Sequence, residues 1–374
     1  MRMRLCVQGF ETTLNIHDLP KAPAAVTIYI KKTYTIGKHT LWNAEKIEVS
    51  IMINIAILGF GIVGSGTYDL TVENAKHIEK KVGAPVRVKR IVDILDFSKH
   101  PAAKLITKNF DDVKNDPDIS IVIETIGGTK VAYEFTKAAL LAGKNVVTSN
   151  KALVSEHGIE LIDIAKKNNV QYLFEASVGG GIPIIRPLKQ CLAANEIEEI
   201  YGVLNGTTNY ILTKMRDNGT SFADALKEAQ SKGYAEKDPA DDINGADAAR
   251  KINILSWVAF GELVDYEKIE RKGVGDITAE DIKKAKADGV VIKMVARAKK
   301  VNGKIQCSVA PQRVPLGSPF ALVDGVQNAI IVRGNFVGEV MFYGPGAGGR
   351  ATASAVMSDV IELARSIVAH RKRA

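Results

Sequence analysis

The sequence predicts an α/β protein in which an N-terminal domain of parallel strands and helices precedes a second domain of the α+β class. Short β-rich apolar runs alternate with helical stretches between residues 52 and 174, which is the order expected for a parallel sheet with crossover helices. After residue 175 the helices carry clear capping signals, and an Asn-Gly pair marks a hairpin. This change of pattern places a domain boundary near residue 174.

The first domain begins with the short β-rich run Ile53–Leu58, and a helix is predicted from the following glycines to about Lys81. Val86–Val92 is predicted as the second strand. The other predicted elements are strands at 119–126, 145–148 and 171–174 and helices at 131–142 and 155–168. Because parallel strands need crossover connections, this alternation predicts one parallel sheet with helices packed on it.

The second domain shows helix starts and a hairpin. Ser221 and Thr278 each precede a predicted helix, with an aspartate three positions further on, as in a capping box. A long helix is predicted over residues 244–260. The pair Asn302-Gly303 predicts a tight turn between two strands. A last helix, at about 350–370, is expected to pack back on the first domain.

The predicted domains are therefore residues 52–174, completed by 345–374, and residues 175–344. Residues 1–51 show no clear periodicity, and the fold signals begin at Met52. We expect the native chain to start at Met52, with the preceding stretch an over-extended reading of the gene. N-terminal sequencing of the native protein tests this expectation, and a peptide from residues 21–45 would contradict it.

Composition excludes several classes of protein. Apolar residues make up 46% and charged residues 25% of the chain, the usual balance of a globular protein, and no run of about 18 apolar residues suggests a membrane span. Asp18 and Pro20 interrupt the region where a signal peptide needs an apolar run. Cys6, Cys191 and Cys307 are far apart, without the spacing of a disulfide framework or zinc site. We expect a cytoplasmic protein.

The net charge of +8 raises the possibility of a nucleic-acid partner. However, residues 1–51 contribute +3 and the tail at 371–373 contributes another +3, which leaves about +2 for the rest of the chain. The sequence contains no basic stripe interleaved with aromatic residues. No nucleic-acid partner is therefore expected.

A glycine-rich motif lies between the first predicted strand and helix. Gly59 would permit the tight turn, Gly61 would let the backbone approach a pyrophosphate, and Gly64 would allow close helix–strand packing. The positive N-terminus of the helix would meet the phosphates. This context predicts a Rossmann domain that binds NAD or NADP through Gly59, Phe60, Gly61, Ile62, Val63 and Gly64.

The choice between NAD and NADP depends on the end of the second strand. Asp93 ends that strand and is the natural partner of a ribose diol, which favours NAD. Lys99, His100 and Lys104 lie nearby and could instead receive the 2′-phosphate of NADP. Asp93 could also be only a turn residue at a strand end.

The segment Gly233–Lys251 contains five carboxylates within twelve residues, followed by a lysine on a predicted helix. Asp247 and Lys251 are four residues apart and share one helix face. The apolar residues that follow place this face toward the interior, where charges need partners. The segment suits an ammonium-bearing substrate whose hydroxyl or carbonyl group sits beside the lysine. The alternative is an exposed acidic loop with an ordinary surface ion pair.

Four segments, in order, resemble homoserine dehydrogenases. The acidic segment Glu236–Lys251 is similar to the signature of that family, and 146–153 (VVTSNKAL) is similar to its lysine segment. The stretch 175–183 (EASVGGGIP) resembles its monovalent-cation and hinge segment, and 205–210 (NGTTNY) resembles its substrate-binding loop. The resemblance runs from Met52 to the last helix.

This resemblance implies a reversible hydride transfer between NAD or NADP and a small-molecule substrate, interconverting L-homoserine and L-aspartate 4-semialdehyde. It implies that Lys251 is the general acid and base, that Asp242 orients Lys251 or a bridging water, and that Lys151 lies between nicotinamide and substrate. It further implies substrate contacts at Glu236, Asp247, Thr207, Gly206 and Tyr234. Cofactor contacts are implied at Thr125, Ser149, Lys151 and Gly348.

The resemblance also implies a sodium or potassium ion bound largely by backbone carbonyl groups at Glu175, Val178, Gly180 and Ile182. It implies that residues 175–344 form a catalytic and dimerisation domain, with a homodimer built from strands around 315–343. Residues 1–51 have no counterpart in the family, and the chain stops after the last helix. Feedback inhibition by threonine through an appended ACT domain is therefore not expected.

Two other functions compete with this interpretation. An aspartate-semialdehyde dehydrogenase would handle the same aldehyde but needs a nucleophilic cysteine, and Cys191 lies in a helical stretch without a nearby histidine. A regulatory protein that senses nicotinamide cofactors would carry a DNA-binding module or a partner surface in place of the acidic segment. The sequence offers no sign of such a module.

Overall fold

The computed structural model describes the backbone of residues 2–7, 10–15, 25–36 and 39–373, and the side chains of residues 51–371. Near the N-terminus, strands β1 (Arg2–Val7) and β2 (Phe10–Asn15) pair with each other, as do β3 (Ala25–Ile36) and β4 (His39–Ser50). The sequence analysis predicted no elements in this region. The Cys6 side chain lies outside the described residues.

A six-stranded parallel sheet follows, as predicted. Its order is β10-β9-β8-β5-β6-β7, so the first of these strands, β5, lies inside the sheet with neighbours on both sides. Every residue of β5 is buried, as expected for a parallel sheet covered on both faces. The strands are β5 (Ile53–Leu58), β6 (Val86–Val92), β7 (Ile106–Thr107), β8 (Ile119–Glu124), β9 (Asn145–Thr148) and β10 (Tyr172–Leu173).

The helices of this sheet differ from the prediction in two places. The single predicted helix after the glycine motif is divided at Asn74, whose backbone is not helical. The helix predicted at 155–168 begins earlier, at Lys151, because the Asn150 side chain caps it by accepting a hydrogen bond from Leu153 N–H. The helices are α1 (Ile62–Glu73), α2 (Ala75–Val82), α3 (Asp111–Lys114), α4 (Lys130–Leu141) and α5 (Lys151–Lys167).

The second sheet also has six strands, in the order β12-β14-β13-β11-β15-β16, and all pairs except β12 with β14 are antiparallel. The predicted hairpin is confirmed, since Asn302 and Gly303 both have positive φ and join β13 to β14. The strands are β11 (Ile197–Val203), β12 (Glu270–Arg271), β13 (Val290–Val301), β14 (Lys304–Pro315), β15 (Gln327–Gly334) and β16 (Gly338–Pro345).

Helices α6, α9 and α10 contact this second sheet. The predicted N-caps at Ser221 and Thr278 are both present, and Thr278 forms a complete capping box with Asp281. The segment 205–210, predicted as a loop, instead caps and begins a helix. The helices are α6 (Gly206–Asn218), α7 (Phe222–Ser231), α8 (Ala240–Ile243), α9 (Ala246–Phe260) and α10 (Ala279–Ala287).

The last helix, α11 (Gly349–Arg373), packs against α1 and so returns the chain to the first sheet, as predicted. A core of buried apolar residues beneath α1, α2 and α11 includes Val356 and Val360 together with Ile55 and Ile57 of β5. Among the helices of the described part of the chain, none combines the length and the apolar character that crossing a membrane requires.

Candidate functional site

The glycine motif forms a tight turn at the carboxyl end of β5. Gly59 has φ of +87°, and a Cβ atom at Gly64 would overlap the Gly59 carbonyl oxygen. At Gly61, by contrast, a Cβ atom would have no described atom within 4 Å. The first and third glycines are therefore required by conformation and packing, and the second faces open space where a pyrophosphate fits.

Two side chains hold this turn in place. The Thr125 hydroxyl donates to the Gly59 carbonyl oxygen at 2.8 Å. The Asp93 carboxylate accepts hydrogen bonds from Phe60 N–H at 2.6 Å and Leu95 N–H at 2.8 Å. Both predicted cofactor residues therefore lie beside the glycine turn, and both also have a structural task there.

His100, one of the alternative partners for a 2′-phosphate, is engaged elsewhere. Its ring packs edge-on against Phe60 with centroids 4.9 Å apart, and its Nδ1 atom accepts a hydrogen bond from Ala102 N–H at 3.1 Å. His100 therefore supports Phe60 of the glycine turn. Lys99 and Lys104, in the segment after Asp93, are the remaining alternative partners for a 2′-phosphate.

The start of α11 lies close to the start of α1. A Cβ atom at Gly349 would lie 2.7 Å from Cγ2 of Ile62, and the preceding Gly348 has φ of +110°. The two helix N-termini therefore meet beside the glycine turn, where their positive ends favour an anion. Gly348, a cofactor contact that the family resemblance implies, thus lies beside the glycine turn.

A second group of charged side chains centres on Asp247 at the start of α9. Its Oδ1 atom lies 2.7 Å from Lys151 Nζ, and its Oδ2 atom lies 2.8 Å from Lys251 Nζ. Lys251 Nζ also donates to the Leu204 carbonyl oxygen at 2.7 Å. Asp247 is only 5% exposed. The structure therefore brings together two predicted lysines from different helices on one buried carboxylate.

Asn205 lies in the segment that resembles the substrate-binding loop, although only Gly206 and Thr207 of that segment were predicted as contacts, and it connects Asp242 to this group. Its Nδ2 atom donates to Asp242 Oδ1 at 2.7 Å and to Asp247 Oδ2 at 2.9 Å. Its Oδ1 atom caps α6 by accepting a hydrogen bond from Thr208 N–H at 2.8 Å. An asparagine before Gly206 is itself an N-cap signal, but only the fold shows that its amide group joins two aspartates.

The protonation of the site follows from these contacts. Burial alone would raise the pKa of Asp247, but the two lysines outweigh it and lower that pKa. Burial alone would lower the pKa of Lys151, but Asp247 outweighs it and raises that pKa. The pKa of Asp242 is raised, mainly by burial, and the charge of Asp247 adds to this effect. Asp242 is therefore easier to protonate than Asp247.

Two other predicted substrate residues, Thr207 and Tyr234, are joined by a hydrogen bond. The Thr207 hydroxyl donates to the Tyr234 carbonyl oxygen at 2.6 Å, which ties the acidic segment to α6. The Tyr234 ring packs against Tyr210 with centroids 5.0 Å apart. Glu236 is exposed, and its carbonyl oxygen, not its carboxylate, accepts a hydrogen bond from Gln230 at 3.1 Å. The Glu236 carboxylate is thus accessible to solvent.

In the predicted cation segment, the Glu175 side chain has a structural role. Its carboxylate accepts hydrogen bonds from Ile184 N–H at 2.6 Å, Ile185 N–H at 2.8 Å and Arg186 N–H at 2.8 Å. Because this side chain caps the start of the next helical segment, its carbonyl oxygen is the group left for an ion. Gly180 has φ of +59° and makes the turn that the segment needs.

Comparison with known proteins identifies the family. Residues 183–361 match the family model described as homoserine dehydrogenase, and residues 59–175 match the one described as its NAD binding domain. The chain belongs to the homoserine dehydrogenase family. The homoserine dehydrogenase of Neisseria gonorrhoeae is 42% identical over 325 residues, covering 85% of this chain and 74% of the relative. That of Bacillus subtilis is 41% identical, covering 84% of this chain and 73% of the relative.

Solved structures of homoserine dehydrogenases agree with this assignment. One from Thiobacillus denitrificans has a TM-score of 0.83 at 43% identity, covering 86% of this chain and 75% of that one. A hyperthermophilic archaeal homoserine dehydrogenase in complex with NADPH has a TM-score of 0.71 at 34% identity, covering 84% of this chain and 98% of that one.

The family assignment settles the activity. The chain is an NAD(P)-dependent oxidoreductase of the homoserine dehydrogenase family, which interconverts L-homoserine and L-aspartate 4-semialdehyde in amino-acid biosynthesis. The aspartate-semialdehyde dehydrogenase and regulatory-protein alternatives are therefore wrong. Cys191, the nucleophile that the first of them required, is an exposed free thiol at the end of the helical segment Pro187–Cys191.

Proposed function

We propose that homoserine dehydrogenation by this chain depends on Lys251 as the general acid and base. The observation that supports this role is the buried Asp247 carboxylate, which holds Lys251 and Lys151 together. Bound NAD or NADP supplies the hydride acceptor or donor. During reduction the Lys251 ammonium group donates a proton to the carbonyl oxygen. During oxidation the neutral Lys251 amine, having lost a proton to solvent, accepts the hydroxyl proton of L-homoserine, so that no covalent nucleophile is needed.

The contacts of Lys251 leave room for this step. Within the described part of the chain its ammonium group has two acceptors, the Leu204 carbonyl oxygen and Asp247. An ammonium group has three hydrogens, so the third is free for a substrate oxygen. Asp242 acts through Asn205, which holds it beside Asp247 and so orients Lys251.

Lys151 and the other predicted substrate residues would bind the substrate. The Lys151 side chain is 40% exposed although its Nζ atom contacts the buried Asp247, so this lysine lies where the cluster opens to solvent. We assign it to the substrate carboxylate or reacting oxygen, between substrate and nicotinamide. The substrate ammonium group pairs with Glu236, and the remaining contacts come from Gly206, Thr207, Tyr234 and Asp247.

The glycine turn has the shape that a dinucleotide requires, because the position at Gly61 is open while Gly59 and Gly64 are closely packed. Within the proposal, the Asp93 carboxylate accepts hydrogen bonds from the ribose hydroxyl groups, which favours NAD. Lys99 and Lys104 are the groups available for the 2′-phosphate of NADP. The other proposed contacts are Phe60, Ile62, Val63, Thr125, Ser149, Lys151 and Gly348.

A sodium or potassium ion is a further part of the proposal. Its ligands would be the carbonyl oxygens of Glu175, Val178, Gly180 and Ile182. Hard oxygen donors suit such an ion, and the Glu175 carboxylate is already used by three backbone N–H groups. Replacing sodium and potassium by a large organic cation in the assay should then lower the rate, and an unchanged rate would remove the ion from the proposal.

The proposed domains are residues 52–174, completed by 345–374, for the cofactor, and 175–344 for catalysis and dimerisation. A homodimer through the strands around 315–343 is supported by exposed apolar side chains, among them Leu316, Leu322, Phe336 and Tyr343. Light scattering should give twice the mass of the chain, and a monomer would contradict the dimer. The cytoplasmic location stays a prediction.

The deciding experiment follows absorbance at 340 nm with L-homoserine and either NAD or NADP. For Lys251→Ala we expect kcat to fall by roughly 10²–10⁴, the usual contribution of general acid–base catalysis. The ratio of the NAD and NADP rates reports what Asp93 does. An unchanged kcat in Lys251→Ala would remove this lysine from the mechanism.

A further inference from the structure

A further group of buried polar side chains lies at the carboxyl ends of β8 and β9. Glu124 and Thr148 are paired in register at these strand ends, and both are fully buried. The Glu124 carboxylate accepts hydrogen bonds from Ile126 N–H at 2.7 Å and from the Thr148 hydroxyl. A buried carboxylate with only neutral donors is costly, so its presence needs a reason.

The hydrogen bonds continue from Thr148 into the start of α5. Thr148 Oγ1 accepts a hydrogen bond from Asn150 N–H at 2.9 Å, and Asn150 Oδ1 caps the helix by accepting one from Leu153 N–H at 3.1 Å. Asn150 Nδ2 donates to the carbonyl oxygens of Ile126 at 3.1 Å and Gly128 at 2.7 Å. The residue before Lys151 is therefore fixed on both sides.

We propose that Glu124, Thr148 and Asn150 are positioning residues that fix the start of α5 and so hold Lys151 Nζ against Asp247. This inference depends on the role proposed above for Lys151. Lys151 is partly exposed, and among the described residues its ion pair is with Asp247. Because the Lys151 side chain makes few contacts of its own, the position of its Nζ atom depends on the backbone at the start of α5.

The chemistry of the hydroxyl group explains why a carboxylate is used. Thr148 has one proton to donate and gives it to Glu124, which leaves its oxygen lone pairs free to accept from Asn150 N–H. In its ionised form the Glu124 carboxyl group only accepts hydrogen bonds, so it then sets the direction of the hydrogen-bond chain. Burial raises the pKa of Glu124 to about 7, and the titratable group facing it is the buried Tyr172 hydroxyl on β10.

The test compares Thr148→Val and Glu124→Gln with Thr148→Ser. We expect the first two to lower kcat/KM for L-homoserine by about 10-fold to 100-fold, because a displacement of about 1 Å in a catalytic group can cost 10²-fold. Thr148→Ser keeps the hydroxyl and should restore most of the activity. The matched control is Thr136→Val, since Thr136 is a fully buried threonine on α4 whose hydroxyl has no partner among the described residues.

Asn150→Asp is a second variant, and it leaves Glu124 and Thr148 at the strand ends unchanged. It keeps the helix cap but loses both donors to the carbonyl groups of Ile126 and Gly128, so kcat/KM should again fall. Asn168→Asp at the other end of α5, where the side chain also donates to a backbone carbonyl, is its control and should retain activity.

A double mutant separates this inference from the proposed role of Lys151. If the three residues act through Lys151, Thr148→Val should cause no further loss in a Lys151→Met background. An equal loss in both backgrounds, or activity within twofold of wild type for both Glu124→Gln and Thr148→Val, overturns the positioning role. Full activity of Lys151→Met alone would instead overturn the role proposed for Lys151.

Discussion

Two buried lysines of the second domain pair with aspartates, and they differ in how many of their hydrogens are used. Lys293 on β13 is 1% exposed and donates to Asn209 at 3.1 Å, to Asp324 at 2.9 Å and to the Val323 carbonyl oxygen. Lys251 on α9 is also buried but has two acceptors in the described part of the chain, the Leu204 carbonyl oxygen and Asp247.

Helix α6 serves both lysines. Asn205, its N-cap, holds the two aspartates beside Lys251, and Asn209, one turn later, accepts from Lys293 while donating to the Val323 and Gln327 carbonyl oxygens. Burial and an ion pair with an aspartate are therefore not enough to identify a catalytic lysine. In the described part of the chain Lys293 has an acceptor for each of its three hydrogens, whereas Lys251 has two acceptors, which leaves one hydrogen for the substrate contact that we propose.

The largest expected effect is a difference in activity between the two lysines. Lys293→Met should keep kcat within about twofold, whereas Lys251→Ala should lose it by roughly 10²–10⁴. Lys293→Met should instead lower the free energy of unfolding by about 2 kcal/mol, because it leaves buried acceptors unpaired. Urea denaturation and steady-state kinetics measure the two quantities. A tenfold loss of kcat in well-folded Lys293→Met would contradict the structural role assigned to Lys293.

The next effect concerns the two asparagines of α6. Asn205→Ala removes the shared donor to Asp242 and Asp247, and hydrogen bonds to charged groups contribute about 1.5–3 kcal/mol. We therefore expect kcat/KM to fall by about 10-fold to 100-fold. Asn209→Ala should reduce stability while leaving kcat/KM near wild type. Kinetics at matched temperatures check both variants, and equal losses of activity would mean that the two clusters are not separate.

The smallest effect is on stability at alkaline pH, where the clusters should act in opposite directions. Burial lowers the pKa of Lys293 below its ordinary 10.5. The free-energy cost of keeping its ammonium group charged in the folded protein therefore diminishes as the pH rises from the folded pKa toward 10.5. The pKa of Lys151 is raised by Asp247, so its contribution is present below 10.5 and is lost as the pH rises through the folded value.

Urea unfolding at about pH 9 and about pH 11 measures this difference, with Lys293→Met and Lys151→Met compared with wild type. The wild type should gain stability relative to Lys293→Met as the pH rises, and should lose it relative to Lys151→Met. The second change will be small, because the Lys151 side chain is 40% exposed. Changes of the same sign would contradict the comparison.

Some features were predictable because they depend on a few neighbouring residues. The turn at Gly59–Gly64 needs glycine for positive φ and close packing, and the hairpin at Asn302-Gly303 needs two residues that tolerate positive φ. The pair Asp247 and Lys251 is one helical turn apart, so a helix brings the two together wherever it packs. Local sequence is therefore sufficient to specify the glycine turn, the hairpin and this ion pair.

The rest of the site depended on how distant segments pack. Lys151 reaches Asp247 only because α5 and α9 pack together, and Asn205 reaches both aspartates only because α6 starts beside α8 and α9. Helix α5 starts four residues before the predicted position, because the Asn150 side chain caps it there. Local patterns specify backbone conformation and burial, but the distance between two side chains on different elements is fixed by tertiary packing, which a single local pattern does not encode.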